Sequence, residues 1–577
     1  MSIKPSLQKI ILTAGVCWLL LGWRPGPARG DQNMTADAAI INAKIWSGAR
    51  DAREAEALAI RGERIVAVGA NADIRPHIAE RTRVFDANGA RVIPGITDTH
   101  IHIISGGMLL SQLDLRQVPD RNAFVAAIAE RAKSLAPDAW VLGGRWSVES
   151  WPDAAPPHRN WIDAVTADRP VYLSRMDGHE ALVNSVALRL AGIDRCGPPD
   201  PEGGEIERAP KTGEPTGILK DAAMDLVAPR IPPATEDELL KALVAAMREC
   251  NRWGITAVQD MSEPEHLPVY ARAHDRGLLT LRIHSFLSVS DWDANFGVVR
   301  NYPVRDDWLT VAGFKGYMDG SLGSRTAYMR APFDDAGPDA RHPRGLLMAM
   351  ADPPEAFAAM IARADAAGIQ LAVHAIGDEA NHLLLNHYAA LARMEPAAPE
   401  RRSARRNRVE HAQHLLPEDI RRFAELNVIA AMQPLHKADD GRWAERALGK
   451  KRAQTTYAFR SLLDSGAKVA FGSDWPVVSN NPFFGMAAAV TSRTEDGKTW
   501  VPEQSITVEE ALTAYTVTAA YAGMNENVRG TLEPGKLADI VVLSQDILTI
   551  PPERIGETMV IRTIVGGKHV WPQELGR

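Results

Sequence analysis

Pro94-Gly95-Ile96-Thr97-Asp98-Thr99-His100-Ile101-His102 closes the first of a series of apolar, strand-like segments. Side chains alternate across a strand, so Asp98, His100 and His102 share one face. Two imidazoles at i and i+2 on a rigid strand can hold one metal ion. Among 16 His, such a pair is a weak signal on its own. The Pro-Gly lead-in and the pattern that follows give it weight.

Counting the segment at 92–102, there are eight candidate strands; the others lie at 254–260, 279–287, 309–318, 369–376, 408–413, 428–433 and 468–474. Most lead into Ala/Leu/Arg-rich helical stretches, such as 355–367, 379–393 and 417–426. Repeated strand–helix units predict an α/β fold, a (β/α)8 TIM barrel. The first gap, 103–253, is far longer than one helix needs and predicts an insertion within the barrel after its first strand. Its tryptophans, Trp140, Trp146, Trp151 and Trp161, fit core packing better than substrate contact. Short alternating strands occupy 38–69, with a hairpin turn at Arg61-Gly62-Glu63, and recur at 539–570. They predict a small β-sandwich domain built from both chain ends, residues 31–91 with 528–577, beside a barrel spanning 92–527.

Residues 1–30 read as a secretory signal: Lys4 and Lys9, an apolar run from Ile10 to Trp23, then small residues at Ala28 and Gly30. The run is shorter than the roughly 20 residues that a membrane span needs. An uncleaved anchor, or a start at Met34, is the competing reading. The expected location is the periplasm or the cell exterior. Lys+Arg 65 against Asp+Glu 72 gives −7, and without residues 1–30 the balance is 61 against 72, or −11. Such acidity argues against nucleic-acid binding. With 3 Cys in 577 residues, a cystine-stapled scaffold is excluded, and Cys196 with Cys250 is the one pair left open.

Further metal-ligand types fall at later strand ends. His374 follows Leu371-Ala372-Val373, His411 ends Arg408-Val409-Glu410-His411, and Asp474 ends Val469-Ala470-Phe471-Gly472-Ser473-Asp474. The carboxyl ends of barrel strands form one rim, where these groups would converge. Lys315 lies on the fourth strand, in Phe314-Lys315-Gly316-Tyr317-Met318-Asp319-Gly320-Ser321. An ammonium there would repel cations; carboxylated by carbon dioxide, it becomes an anionic bridge. Spacing alone favours the alternative, an ordinary lysine paired with a carboxylate such as Asp319. His179 in the insertion and His436 after the seventh strand are candidate substrate-binding residues, each balanced by a structural reading. Tyr317 and Arg325 read as structural.

The combined motifs resemble the amidohydrolase superfamily, in its amidohydrolase-3 (YtcJ-like) branch, which includes N-substituted formamide deformylase. The resemblance rests on residues 94–102, Asp177-Gly178-His179, Lys315 to Ala327, Val373-His374, Arg408 to His411, Gly472-Ser473-Asp474 and the tail Gly530 to Ile540. It implies two divalent metals, zinc foremost, although these ligands also suit iron, manganese or cobalt. His100 and His102 would bind the first metal, and His374 and His411 the second. Lys315 as a carbamate would bridge them, and Asp474 would bind the first metal and shuttle protons. The implied activity is hydrolysis of a non-peptide C–N bond in an amide, formamide or N-acyl compound by metal-activated hydroxide. Hydrolysis of an ester, lactone or imidate, or a deamination, would use the same centre. A non-catalytic regulatory or binding protein on a barrel scaffold is the reading from another class. The implied partners are a small-molecule substrate, no nucleic acid, no membrane once the leader is cleaved, and a second copy in a homodimer.

Overall fold

Eight parallel strands succeed one another in chain order around one sheet of the computed structural model. They are β1 (Ile96–Ile101), β2 (Ile255–Ser262), β3 (Arg282–Ser288), β4 (Leu309–Tyr317), β5 (Gln370–Ala375), β6 (Arg408–His411), β7 (Ile429–Met432) and β8 (Lys468–Phe471). The structure describes residues 35–572, apart from 52–53, 137–138, 303–305, 339, 352 and 395–404. The expected leader at 1–30 therefore lies outside the described residues. Most strand residues are buried, as parallel strands covered on both faces require, and hence read as near-continuous apolar runs. Between β8 and β1 the seam is drawn together by main-chain hydrogen bonds. The amide of His102 donates to Trp475 O at 2.9 Å, and that of Asp474 to His100 O at 2.7 Å. The Asp98 carboxylate adds to the seam, accepting from Ser473 N at 2.9 Å and Ser473 Oγ at 2.5 Å. The result is a (β/α)8 barrel.

One expected strand proves to be two. The segment 92–102 breaks at Gly95. Before the break, Arg91–Pro94 joins a different sheet, and after it β1 enters the barrel. The reason is a close approach: a Cβ at Gly95 would lie 2.1 Å from Thr256 Oγ1 of β2. Its amide meanwhile donates to Asp539 O at 2.8 Å.

That different sheet pairs the two ends of the chain. Its order is Lys568–Trp571, Val560–Val565, Ile540–Leu543, Arg91–Pro94, Lys44–Trp46 and Glu54–Ala55. A four-stranded sheet runs Arg64–Gly69, Ala57–Arg61, Ala38–Ile41 and Arg83–Asp86, with the expected hairpin at Gly62. Ile40, Leu58 and Ile60 of the second sheet share a buried cluster with Val92, Ile540 and Val542 of the first.

After β1 and a short helix, Ile103–Leu109, the chain builds a six-stranded mixed sheet of its own. Its order is Gly204–Arg208, Pro215–Asp221, Glu180–Val183, Val171–Arg175, Val141–Trp146 and Leu113–Asp114. Trp146 and Trp151 are buried in its core with Phe124 and Ile128, Trp161 packs against that same cluster, and Trp140 packs against a second one. Helix Glu236–Arg252 then returns the chain to β2; Thr235 and Glu238 close a reciprocal capping box at its start. Cys196 is exposed, Cys250 is buried, and both are free thiols, so the pairing left open does not form. No helix among the described residues is long and apolar enough to cross a membrane.

Candidate metal centre

The carboxyl ends of the barrel strands bring together imidazoles, a carboxylate and a lysine that are far apart in sequence. His100 on β1 is fully buried; its Nε2 lies 3.4 Å from Asp474 Oδ1 and 3.1 Å from Lys315 Nζ. His102 is partly exposed, with Nε2 3.3 Å from the same Asp474 oxygen. The His411 ring centroid is 4.8 Å from that of His100 and 4.5 Å from that of His374. Ligand atoms of His100, His411 and Asp474 all lie within 4.8 Å of one another, close enough to share one ion.

Two of these side chains reach the rim through left-handed backbone. His411 has φ of 72° and Asp474 φ of 58°, values few non-glycine residues adopt. Strand alternation alone would send Glu410 and His411 to opposite faces. The turn at His411 lets both stand beside His100, Glu410 with Oε2 2.6 Å from His100 Nδ1.

His100, His374 and His411 each have one nitrogen held by a neighbour outside the cluster. Glu410 takes Nδ1 of His100, and Gln433 Oε1 lies 2.7 Å from Nδ1 of His411, leaving Nε2 of both rings to the centre. His374 donates from Nε2 to Gly320 O at 3.1 Å, which leaves its Nδ1. Such outer hydrogen bonds orient metal-binding imidazoles and set their tautomer. Burial, aided for His100 by the Lys315 charge and for His374 by the His179 charge, pushes His100, His374 and His411 well below the ordinary imidazole range. All three are therefore neutral, the form that coordinates metal. Burial also lowers Lys315 to about 8, against the pull of Asp474 and Glu410. Burial alone would raise Asp474, but the hydrogen bond and charge of His102, with His436 and Lys315, hold it below the usual carboxylate range.

Asp319 does not pair with Lys315. Its carboxylate accepts from the amides of Tyr328, Ile376 and Gly377 at 2.7–3.0 Å and so fixes the loop after β4 against the end of β5. Lys315 instead lies over the Tyr317 ring, 4.7 Å from its centroid.

His179 comes from the insertion and stands 5.1 Å from the His374 ring, its Nδ1 2.6 Å from Asp221 Oδ1. His436 stacks over His411 at 6.3 Å, with Nε2 4.0 Å from Asp474 Oδ2. Both line a cavity of about 890 Å³ that also admits His100, His102, Lys315 and Asp474. Arg325 is structural as expected, bound to Asp335 and to the carbonyls of Leu322 and Gly323. Tyr317 lines the cavity with its ring 5.4 Å from that of His374. Sequence reasoning also passed over Arg408 and Glu410. The Arg408 guanidinium grips Glu410 at 2.7 and 2.9 Å, and both are wholly buried. Their i, i+2 spacing on one strand was the available signal.

A barrel whose rim gathers neutral imidazoles around a carboxylate is that of a metal-dependent hydrolase. The chain belongs to the amidohydrolase family, whose profile matches residues 83–571. Protein LONG AFTER FAR-RED 3 of Arabidopsis thaliana is 35% identical over 553 residues, covering 93% of this chain and 92% of that one. YtcJ of Bacillus subtilis (strain 168) is 32% identical, covering 85% of this chain and 90% of its own. N-substituted formamide deformylase of Arthrobacter pascens is 27% identical over 92% of this chain and 97% of its own. Among solved structures, an uncharacterized metal-dependent hydrolase from Pyrococcus furiosus superposes with a TM-score of 0.68 at 25% identity, covering 89% of this chain and all of that one.

Proposed function

We propose that this chain is an exported binuclear amidohydrolase that cleaves an amide, formamide or N-acyl compound to a carboxylate and an amine. The observation that carries the reading is the meeting of His100, His411 and Asp474 within 4.8 Å, a cluster that joins the ligands of the first ion to those of the second. The donor set fits divalent metal: neutral imidazoles, an ionised carboxylate, and outer partners on His100, His374 and His411. In this reading His100, His102 and Asp474 would hold one ion, His374 and His411 would hold the second, and Lys315 as a carbamate would serve both. Lys315 gains its anionic form when its neutral amine adds carbon dioxide and releases a proton. Bound there, the ions would lower the pKa of water and polarise the acyl carbonyl. Zinc suits these ligands best, with iron, manganese and cobalt compatible.

Asp474 takes the proton of the water that attacks the acyl carbon. It returns that proton to the departing nitrogen as the C–N bond breaks, acting first as base and then as acid. His179, held by Asp221, and His436 line the cavity, where they would contact the substrate. The deformylase relative supports a formamide or related amide as substrate. Periplasmic or extracellular location rests on the leader pattern at 1–30.

The test is metal analysis of the purified protein, followed by assays against formamides, N-acyl amines, cyclic amides and esters. Two metals per chain with turnover of an amide is the expected result. Metal-free protein that stays inert after zinc loading would remove the hydrolase reading and favour a binding protein. Turnover of esters alone would move the reaction to C–O bonds.

A further inference from the structure

Arg145 is the penultimate residue of the strand Val141–Trp146 of the insertion and lines the same cavity as the candidate metal centre. It is only 8% exposed. Its Nε and Nη2 are buried with no hydrogen-bond partner, and its Nη1 reaches Asp114 Oδ2 only at 3.4 Å. No other arginine among the described residues has two buried nitrogens so left. Buried guanidinium nitrogens without partners are costly, and groups left so in a folded protein call for an explanation.

The backbone shows that the placement is built. The ladder to the neighbouring strand pairs Gly144 with Ser174 and Trp146 with Arg175, so Arg145 is skipped in a β-bulge. Arg145 itself has φ of 62°. The bulge needs the glycines before it: a Cβ on Gly143 would lie 2.3 Å from Leu113 O, and one on Gly144 2.3 Å from Ser174 O. Bulges re-aim side chains beside functional sites. Arg175, on the neighbouring strand, is already committed to Asp177 and Glu149, so it does not share this role. Of the cavity's other acids, Asp440 is held by Tyr457 and Gln413 and Asp221 Oδ1 by His179; Asp221 Oδ2 is buried without a hydrogen-bond partner, and burial raises Asp225 above the usual carboxylate range. Burial and the nearby Arg116 charge lower Arg145 to about 10, which leaves it cationic at neutral pH.

The lining of this cavity includes apolar, adaptable side chains: Met108, Met176, Met224, Leu142 and Leu239. Methionines accept varied apolar shapes. We propose that Arg145 is an anion subsite that receives a carboxylate on a substrate whose apolar body lies along these methionines. Its place as a substrate subsite rests on the hydrolase reading above; the binding of the anion does not. Arginine suits the role because its planar fork pairs with both carboxylate oxygens.

Octanoate and 1-octanol are suitable probes, since neither can be hydrolysed. Their affinities for the full-length, metal-loaded protein and for Arg145→Met are compared by calorimetry. Arg145→Met is expected to weaken octanoate by about tenfold or more and to leave 1-octanol unchanged. Arg145→Lys is expected to fall between the two. Octanoate binding that is unchanged in Arg145→Met overturns the subsite, since a carboxylate held only by the metals would survive the substitution. So does a loss shared equally by octanol. Thermal unfolding checks each variant, and Arg145→Gln replaces Arg145→Met if the latter does not fold. Because no turnover is read, a protein that hydrolyses no amide can still pass or fail this test.

Discussion

Nδ1 of His100 lies 2.6 Å from Oε2 of Glu410, and neither side chain has any exposed surface. Glu410 is held in turn by Nε and Nη2 of Arg408, and Arg408 also donates to Thr99 O at 2.7 Å. A carboxylate from β6 thereby orients a ring on β1, while the arginine that fixes the carboxylate is tied to the β1 main chain. The arrangement sets the tautomer of His100 and raises its basicity toward a metal. Glu410→Gln keeps the shape and removes the charge. Its metal affinity should fall by about 10–100-fold in competition with a chelator. Unchanged affinity in a folded variant would reduce Glu410 to a packing role.

Asp474 is held ionised and faces both His100 and His102. Asp474→Asn retains an oxygen for coordination but neither accepts nor returns a proton. The variant should keep bound metal while kcat drops by about 10²–10⁴-fold. Metal content and turnover measured on the same sample separate the two roles. Full activity would take Asp474 out of the proton transfer.

The parts of this site that were legible in the sequence are those set by local geometry. Alternation places His100 and His102 on one face, and the strand pattern puts His374, His411 and Asp474 at strand ends. The eight barrel strands were legible for the same reason, as apolar runs between helices. What was not legible depends on contacts between distant segments. Gly95 breaks its strand because of Thr256, over a hundred and fifty residues later, and the residues before it pair with Ile540–Leu543. Glu410 gains its contact with His100 only when β6 is brought to β1, and Tyr317 its contact with His374 only when β4 pairs with β5. Arg145 is invisible without the bulge that turns it inward.

Lys315 Nζ sits 3.1 Å from His100 Nε2, with the neighbouring carboxylates of Asp474 and Glu410 acting on it through charge alone. Lys315→Ala should lose one or both metals, and a short carboxylic acid such as acetate or propionate should restore part of the metal content and activity. Such an acid replaces the anionic bridge, which an ordinary structural lysine would not require. Metal content equal to that of the wild type would dismiss the bridge.

Lys437 offers a prediction about stability that is independent of the metals. It is 1% exposed, with Nζ 2.6 Å from Ser492 Oγ and 3.1 Å from Val501 O. Burial, only partly opposed by Glu503, lowers it to about 7 in the folded protein, against 10.5 for a free lysine. Between those values the unfolded chain carries the proton and the native one does not, so stability rises with pH. The contribution is complete above the unfolded value and is lost as pH falls through 7. Its slope within the window is at most about 1.4 kcal/mol per pH unit. Denaturant unfolding of the wild type and of Lys437→Met, followed from pH 6 to 10, reads the difference in slope. The wild type should gain stability relative to the variant across that range. Parallel curves would mean that Lys437 keeps its proton despite its burial.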